Sequence, residues 1–188
     1  MLPLGMANGH IEDNQISASS DVGGYEAYKG RLNGPRAWQA AMTDTNQWLQ
    51  VNFNTRTIIT GIQTQGLWGG HVKSYRLLFG DTEDALTVYK EVGSNSGKVF
   101  HANSDGATVV TNDIDMPIIA SIVRVNPQDF AGSTIIRLRM ELLGCEDFRV
   151  DPTCNHNACW YNDWPIDIPF HIPGNHNSER VNAVTNYI

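Results

Sequence analysis

Histidine and cysteine are the residue types in this sequence that could bind a metal or act in catalysis. The six histidines stand at positions 10, 71, 101, 156, 171 and 176, and none belongs to an H-E-x-x-H metal motif. Residues 93–97 have the glycines of a G-x-S-x-G elbow, but Asn95 stands where the nucleophile would be. The sequence also has no Walker loop and no G-x-G-x-x-G motif. It therefore does not predict an enzyme.

The three cysteines leave at least one thiol unpaired within the chain. Cys154 and Cys159 enclose four residues, so they could close a small disulfide loop in an oxidising compartment. Together with His156 they also offer three zinc ligands, but the sequence shows no evident fourth ligand. We expect a disulfide or free thiols rather than zinc, and we predict no cofactor.

The elements that position these side chains are predicted to be β-strands, because no stretch of a dozen residues in the first 145 keeps a helical period. In residues 135–143, apolar side chains alternate with Arg137, Arg139 and Glu141, which is typical of a half-buried strand. The sequence predicts an all-β fold, an eight-stranded sandwich or jelly roll. Its strands are expected at residues 48–53, 57–65, 74–79, 87–92, 98–102, 108–114, 119–125 and 135–143.

The last quarter of the chain has a different character. Four of the eight prolines fall there, at positions 152, 165, 169 and 173, and proline interrupts regular elements. We therefore predict one domain over residues 1–146. Residues 147–188 are expected to form an irregular tail or the beginning of a further module.

Charge and hydropathy exclude several classes of protein. With 13 basic and 20 acidic side chains, the net charge of −7 disfavours nucleic acid as a partner and simple charge-driven docking on anionic lipid. The longest apolar run, residues 116–123, is far shorter than the roughly 20 residues of a membrane span. The first residues lack the basic and apolar regions of a signal peptide.

Several segments, in the same order, resemble the coagulation factor V/VIII type C domain, also called the discoidin domain. They include Gln15-Ile16-Ser17-Ala18-Ser19-Ser20 and Leu138-Arg139-Met140-Glu141-Leu142-Leu143-Gly144-Cys145. Further similar blocks lie at residues 3–11, 30–38, 47–51, 62–66, 72–75, 100–105 and 117–125.

The resemblance implies a discoidin-type jelly-roll sandwich that serves as an extracellular module for adhesion or recognition. In such domains, loops at one end bind glycans, phosphatidylserine-containing membranes or proteins. Family members usually join the first and last strands by a disulfide, whose second cysteine would be Cys145. Its partner would stand one position before Met1, so we expect either that the chain is a fragment cut just inside the domain or that the pairing is lost. A fragment would also explain the missing signal peptide.

Three loops correspond to the family's binding loops, and we call residues 21–29, 33–36 and 67–71 the first, second and third loops. Sugar binding needs an aromatic platform beside polar groups that hydrogen-bond hydroxyls, and these loops supply both. We therefore predict an extracellular module that binds cell-surface or matrix glycans or glycoproteins. The candidate ligand-binding residues are Asp21, Val22, Tyr25, Tyr28, Asn33, Arg36, Trp68 and His71.

Two alternative functions stay open. A phospholipid-binding module would need Trp68 and Val22 exposed together at one tip, where apolar side chains enter the membrane interface. The domain could also be a non-binding spacer in a larger extracellular protein. Collagen binding is disfavoured, because Leu67 stands where the collagen-binding discoidin receptors have an arginine.

The remaining notable side chains are expected to belong to the scaffold. We expect Trp38 and Trp48 in the core and Arg139 in an ion pair with an acidic neighbour. Asn103 and Asp105 are expected to cap a turn through bonds to the backbone. A structural calcium ion near that turn is a minor alternative.

Overall fold

The computed structural model describes residues 1–131 and 135–145, which form nine antiparallel β-strands. Two short 3₁₀ helices, Asp13–Gln15 and Ala27–Lys29, complete the regular structure of this part of the chain. No helix in these residues is long and apolar enough to cross a membrane. The strands are β1 (Leu2–Pro3), β2 (Ile16–Ala18), β3 (Trp38–Gln39), β4 (Leu49–Gln65), β5 (Val72–Gly80), β6 (Thr87–Val88), β7 (Phe100–His101), β8 (Val110–Phe130) and β9 (Arg137–Cys145).

The sheet follows the order β1-β9-β4-β8-β5-β6, with β2 beside β4, β3 beside β9 and β7 beside β5. The long strands β4 and β8 pair along three runs, separated by register shifts between Asn52 and Thr57 and between Ile59 and Gly61. Such shifts bend a strand and increase its twist. The curled antiparallel sheet encloses a single core cluster, as in a jelly-roll sandwich.

The predicted fold class is confirmed, while the division into strands differs in detail. Two predicted strands, residues 48–53 and 57–65, are parts of the single bent strand β4. The predicted strands at 108–114 and 119–125 lie within β8 in the same way. Strands β1, β2 and β3 contain only two or three residues, too few to show an alternating pattern in the sequence.

Aromatic side chains fill the middle of the sandwich. The rings of Tyr75 and Phe100 stack with centroids 5.3 Å apart, and burial raises the pKa of Tyr75. Trp38 is fully buried, as predicted, and its indole N–H donates to the carbonyl of Ser20. The expectation that Trp48 lies in the core is wrong. Its ring is half-buried, with the Arg124 guanidinium 3.9 Å from its centroid.

The last strand, β9, is buried on both faces rather than on one. Glu141 is 1% exposed, although the alternation of the strand predicted its side chain on a solvated face. Its carboxylate accepts hydrogen bonds from the backbone N–H groups of Gly5, Met6 and Ala7 at 3.1, 2.9 and 2.8 Å. The N–H of Leu142 donates to the same group. One buried carboxylate therefore holds the N-terminal segment against the sheet.

The start of the chain also pairs with the end of β9. Leu2 lies opposite Gly144, which brings the first residues close to Cys145, the last residue of β9. The predicted tail, with Cys154, Cys159 and His156, lies outside the described residues. The disulfide and zinc alternatives for that segment therefore stay predictions.

We expect the Glu141→Gln substitution to destabilise the domain by about 2–4 kcal/mol, because an amide offers one acceptor oxygen where the carboxylate has two. Urea unfolding measures the loss. Asp113→Asn is the matched control, since Asp113 is exposed on β8 and its substitution should change stability by less than about 0.5 kcal/mol. Equal unfolding midpoints for the two variants would contradict the role of Glu141 in holding the N-terminal segment against the sheet.

Candidate functional site

The loops at one end of the sandwich meet around the buried guanidinium of Arg139, which is 7% exposed. It donates to the carbonyl oxygens of Gly66 at 2.7 Å, Gly34 at 2.7 Å and Gly106 at 3.1 Å. Burial lowers the pKa of Arg139, but an arginine in a protein stays protonated. The predicted ion pair is therefore wrong, since the described partners of this guanidinium are three backbone carbonyls.

Gln65, at the end of β4, links two of the same loops. Its side-chain oxygen accepts from the backbone N–H of Asn33 at 3.1 Å, and its amide donates to the carbonyl of Ala107 at 2.6 Å. Asn33 is exposed and has φ +59°, a left-handed conformation that asparagine tolerates. The second loop is thus fixed by Gln65 and Arg139 together.

Tyr25, in the first loop, lies close to two guanidinium groups. The guanidinium carbons of Arg36 and Arg137 are 5.1 and 4.9 Å from its ring centroid, and Arg36 donates to its hydroxyl at 3.1 Å. Arg137 also donates to the side chain of Gln39 at 2.8 Å and to the carbonyl of Trp68 at 2.7 Å. Arg137 therefore connects the first loop to the third. We call Tyr25, Arg36, Trp68 and Arg137 the aromatic patch.

Trp68 is the most exposed large apolar side chain of the described residues, at 79%. It stands at the tip of a tight turn in which Leu67 and Gly70 exchange backbone hydrogen bonds of 3.0 and 2.9 Å. Gly69 completes the turn with φ +84°, a conformation that glycine adopts at little cost. Beside it lies a shallow cleft of about 310 Å³ lined by Gln65, Leu67, Trp68, Gly106, Ala107 and Arg139.

The structure brings some of the predicted ligand residues together and separates others. Tyr25, Arg36 and Trp68 belong to the aromatic patch, whereas Tyr28 packs against the core. Val22 is half-buried, and its N–H donates to the carbonyl of Gln39, so it does not share the exposure of Trp68. The Asp21 carboxylate accepts from the N–H of Ala27, which shapes the first loop.

His71 lies apart from these residues. It lines a different cleft, together with Lys73 and His101, and contributes to neither the aromatic patch nor the lining of the cleft beside Trp68. Conversely, the prediction missed Arg137, which was assigned only to the polar face of its strand. Its position two residues before Arg139 is the signal that could have found it, since alternate residues of a strand share a face.

Asn103 and Asp105 cap a turn, as predicted. The Asn103 amide donates to the carbonyls of Thr64 and Thr108. The Asp105 carboxylate accepts from the backbone N–H groups of Thr108 and Ala107 and from the Thr108 hydroxyl, which holds the pKa of that carboxyl below its usual value. Residues 1–131 and 135–145 contain no group of three or more His, Cys, Asp or Glu side chains that could hold a metal ion.

Comparison with known proteins identifies the family. Residues 15–142 match the model of the F5/8 type C domain. The chain belongs to this family. It is 38% identical over 153 residues to the non-catalytic subunit of the venom prothrombin activator pseutarin-C from Pseudonaja textilis, an alignment that covers 77% of this chain and 10% of that protein.

Other relatives agree with this assignment of an F5/8 type C domain. Mouse lactadherin is 38% identical over 157 residues, covering 76% of this chain and 33% of lactadherin. The chain thus spans a tenth to a third of the length of these curated relatives. The structure of discoidin II from Dictyostelium discoideum superposes with a TM-score of 0.60 at 25% identity, covering 68% of this chain and 53% of that one.

Arg139→Lys should loosen the loop end of this F5/8 type C domain, because an ammonium cannot reach three carbonyls with the fixed fork of a guanidinium. We expect a loss of about 2–4 kcal/mol in stability and faster amide hydrogen exchange around Gly34, Gly66 and Gly106. Arg76→Lys, on the exposed side of β5, is the matched control. Unchanged exchange in Arg139→Lys would contradict the central role of this side chain.

The turn that the Asp105 carboxylate caps should lose its capping hydrogen bonds only in acidic solution. Because folding lowers the pKa of Asp105, the stability that its carboxylate contributes is present at neutral pH. This stability is lost as the pH falls below the ordinary pKa of the carboxyl group and through its folded-state pKa. The amide proton shifts of Ala107 and Thr108 should titrate with a midpoint below about 3.9. Asp105→Asn should abolish this titration, and a midpoint at or above the ordinary value would contradict the assignment.

Proposed function

We propose that this domain binds glycans or glycoproteins outside the cell through the aromatic patch. The observation that carries the proposal is the exposed side chain of Trp68, whose backbone carbonyl is bound by Arg137, one of the two arginines close to the Tyr25 ring. The apolar face of a sugar ring packs on an aromatic side chain, while its hydroxyl groups need hydrogen-bonding partners. The patch offers both within one surface.

The guanidinium groups favour sugars that carry a carboxylate. Arginine presents a planar fork of donors that matches the two oxygens of a carboxylate. Arg36 already donates to the Tyr25 hydroxyl, and Arg137 to Gln39 and to the Trp68 carbonyl. Their orientations are therefore largely set before a ligand arrives, which reduces the entropy lost on binding.

The relatives support a binding role outside the cell. They include a venom protein and coagulation factor V, and venom and blood clotting are extracellular settings. The pseutarin-C relative is a non-catalytic subunit. We infer that this domain likewise recognises a surface rather than transforming a substrate, as a module for adhesion.

The test is glycan-array binding by the chain displayed multivalently, which compensates for weak single-site affinity. Tyr25→Ala and Trp68→Ala should each reduce binding at least about tenfold, since a buried aromatic face contributes roughly 2–3 kcal/mol. Val92→Ala is the matched control, because Val92 is another highly exposed apolar side chain, at 76%. Unchanged glycan binding in both aromatic variants, with normal thermal unfolding, would reject the proposed site.

Membrane-surface binding is the second candidate, and the exposure of Trp68 favours it as well. An exposed indole can enter the membrane interface. However, Val22 is half-buried and the exposed Asp21 would face anionic headgroups, so Trp68 would act almost alone.

Sedimentation with phosphatidylserine vesicles separates the two candidates. Phosphatidylserine-dependent binding that Trp68→Ala abolishes, without glycan binding, would replace the glycan proposal. Binding to neither glycans nor vesicles would favour the alternative that the domain is a non-binding spacer in a larger protein.

A further inference from the structure

A second cleft, of about 360 Å³, lies beside strands β5 and β7. His71, Lys73, His101, Ala102, Asn103 and Ser104 line it. None of these residues lines the cleft beside Trp68 or belongs to the aromatic patch. We call it the histidine cleft, and its chemistry differs from that of the aromatic patch because it contains two imidazoles and an ammonium group.

Backbone hydrogen bonds fix the walls of the histidine cleft. Ser74 pairs with His101, and the N–H of Ala102 donates to the carbonyl of Lys73 at 2.8 Å. The carbonyl of His71 accepts from Ala131 at 2.9 Å. These bonds hold the start of β5, which carries Lys73, against β7, which carries His101, so the segments that line the cleft are already joined by the sheet.

Two carboxylates flank the histidine cleft, and both have other partners. An oxygen of Asp129 lies 3.7 Å from the Lys73 ammonium and also accepts from the backbone N–H of Phe130 at 2.8 Å. Asp105 attracts His71, while its oxygens accept from the backbone of the turn at Ala107 and Thr108.

We propose that the histidine cleft binds a sulfate or phosphate ester carried by a glycan. The Ser104 hydroxyl, the Lys73 ammonium and the two imidazoles are donors that suit a tetrahedral oxyanion. The Asp105 oxygens are already engaged by Ala107 and Thr108, which limits their competition for these donors. This site does not depend on the function proposed for the aromatic patch.

Three probes separate the anion from the sugar: galactose 6-sulfate, galactose 6-phosphate and galactose. Each is titrated into the full chain at one fixed pH while the imidazole C–H resonances are followed by NMR. We expect at least one of the two esters to shift the resonances of both His71 and His101. It should bind at least roughly tenfold more tightly than galactose, because a charged ester accepts stronger hydrogen bonds than a neutral hydroxyl group does. The ester that binds more tightly identifies the source of the oxyanion.

The double variant His71→Gln/His101→Gln should lose ester binding. His10→Gln is the matched control, because His10 lies in the N-terminal segment outside this cleft, and it should bind like the unmodified chain. Trp68→Ala should also retain ester binding, which distinguishes this site from the aromatic patch. Absence of ester binding, equal binding of galactose, or full binding by the double variant would each overturn the proposal.

Discussion

The loop end of this domain depends on one buried charge, the guanidinium of Arg139. A charge taken out of water is costly unless its hydrogen-bonding groups are satisfied. Arg139 meets this requirement with carbonyl oxygens from three separate segments, at Gly34, Gly66 and Gly106. The interaction is therefore also a geometric constraint, because the three segments must approach one another to satisfy it. The proposed binding surface and the stability of the sandwich therefore both depend on this side chain.

Strand β9 carries two buried charges of opposite sign, and backbone groups satisfy both of them. Glu141 accepts hydrogen bonds from backbone N–H groups of the N-terminal segment, and Arg139 donates hydrogen bonds to backbone carbonyls of the loops. Neither charge is neutralised by an ion pair with the other, although they stand two residues apart on the same strand. Since peptide groups are their partners, loop side chains can vary without disturbing the framework. That property suits a scaffold whose ligand is chosen by its loops.

The sequence predicts the sandwich well because its long strands alternate, but it predicts bends and polar partners poorly. A register shift of β4 occurs around Asn54, which has φ +64°. The shift interrupts the alternation of side chains, so the sequence pattern resembles two separate strands. The alternation that correctly buries Leu49 and Val51 also turns Trp48 to the opposite face, where it meets Arg124. The partners of Arg139 are backbone atoms, which carry no residue-specific signal, so an ion pair was the natural but wrong expectation.

The position of His71 shows why loops assigned by resemblance need geometry before they can define a site. Trp68 and His71 are three residues apart, yet the turn through Gly69 and Gly70 lies between them and the chain enters β5 at Val72. Trp68 consequently lines one cleft, and its backbone carbonyl accepts from Arg137, whereas the imidazole of His71 lines another cleft with His101. A single short loop thus contributes to two surfaces of different chemistry, one with aromatic rings and guanidinium groups and one with two imidazoles and an ammonium group. Because Arg139 binds the carbonyl of Gly66 at the base of this loop, a ligand that displaced the loop at one surface would strain its position at the other.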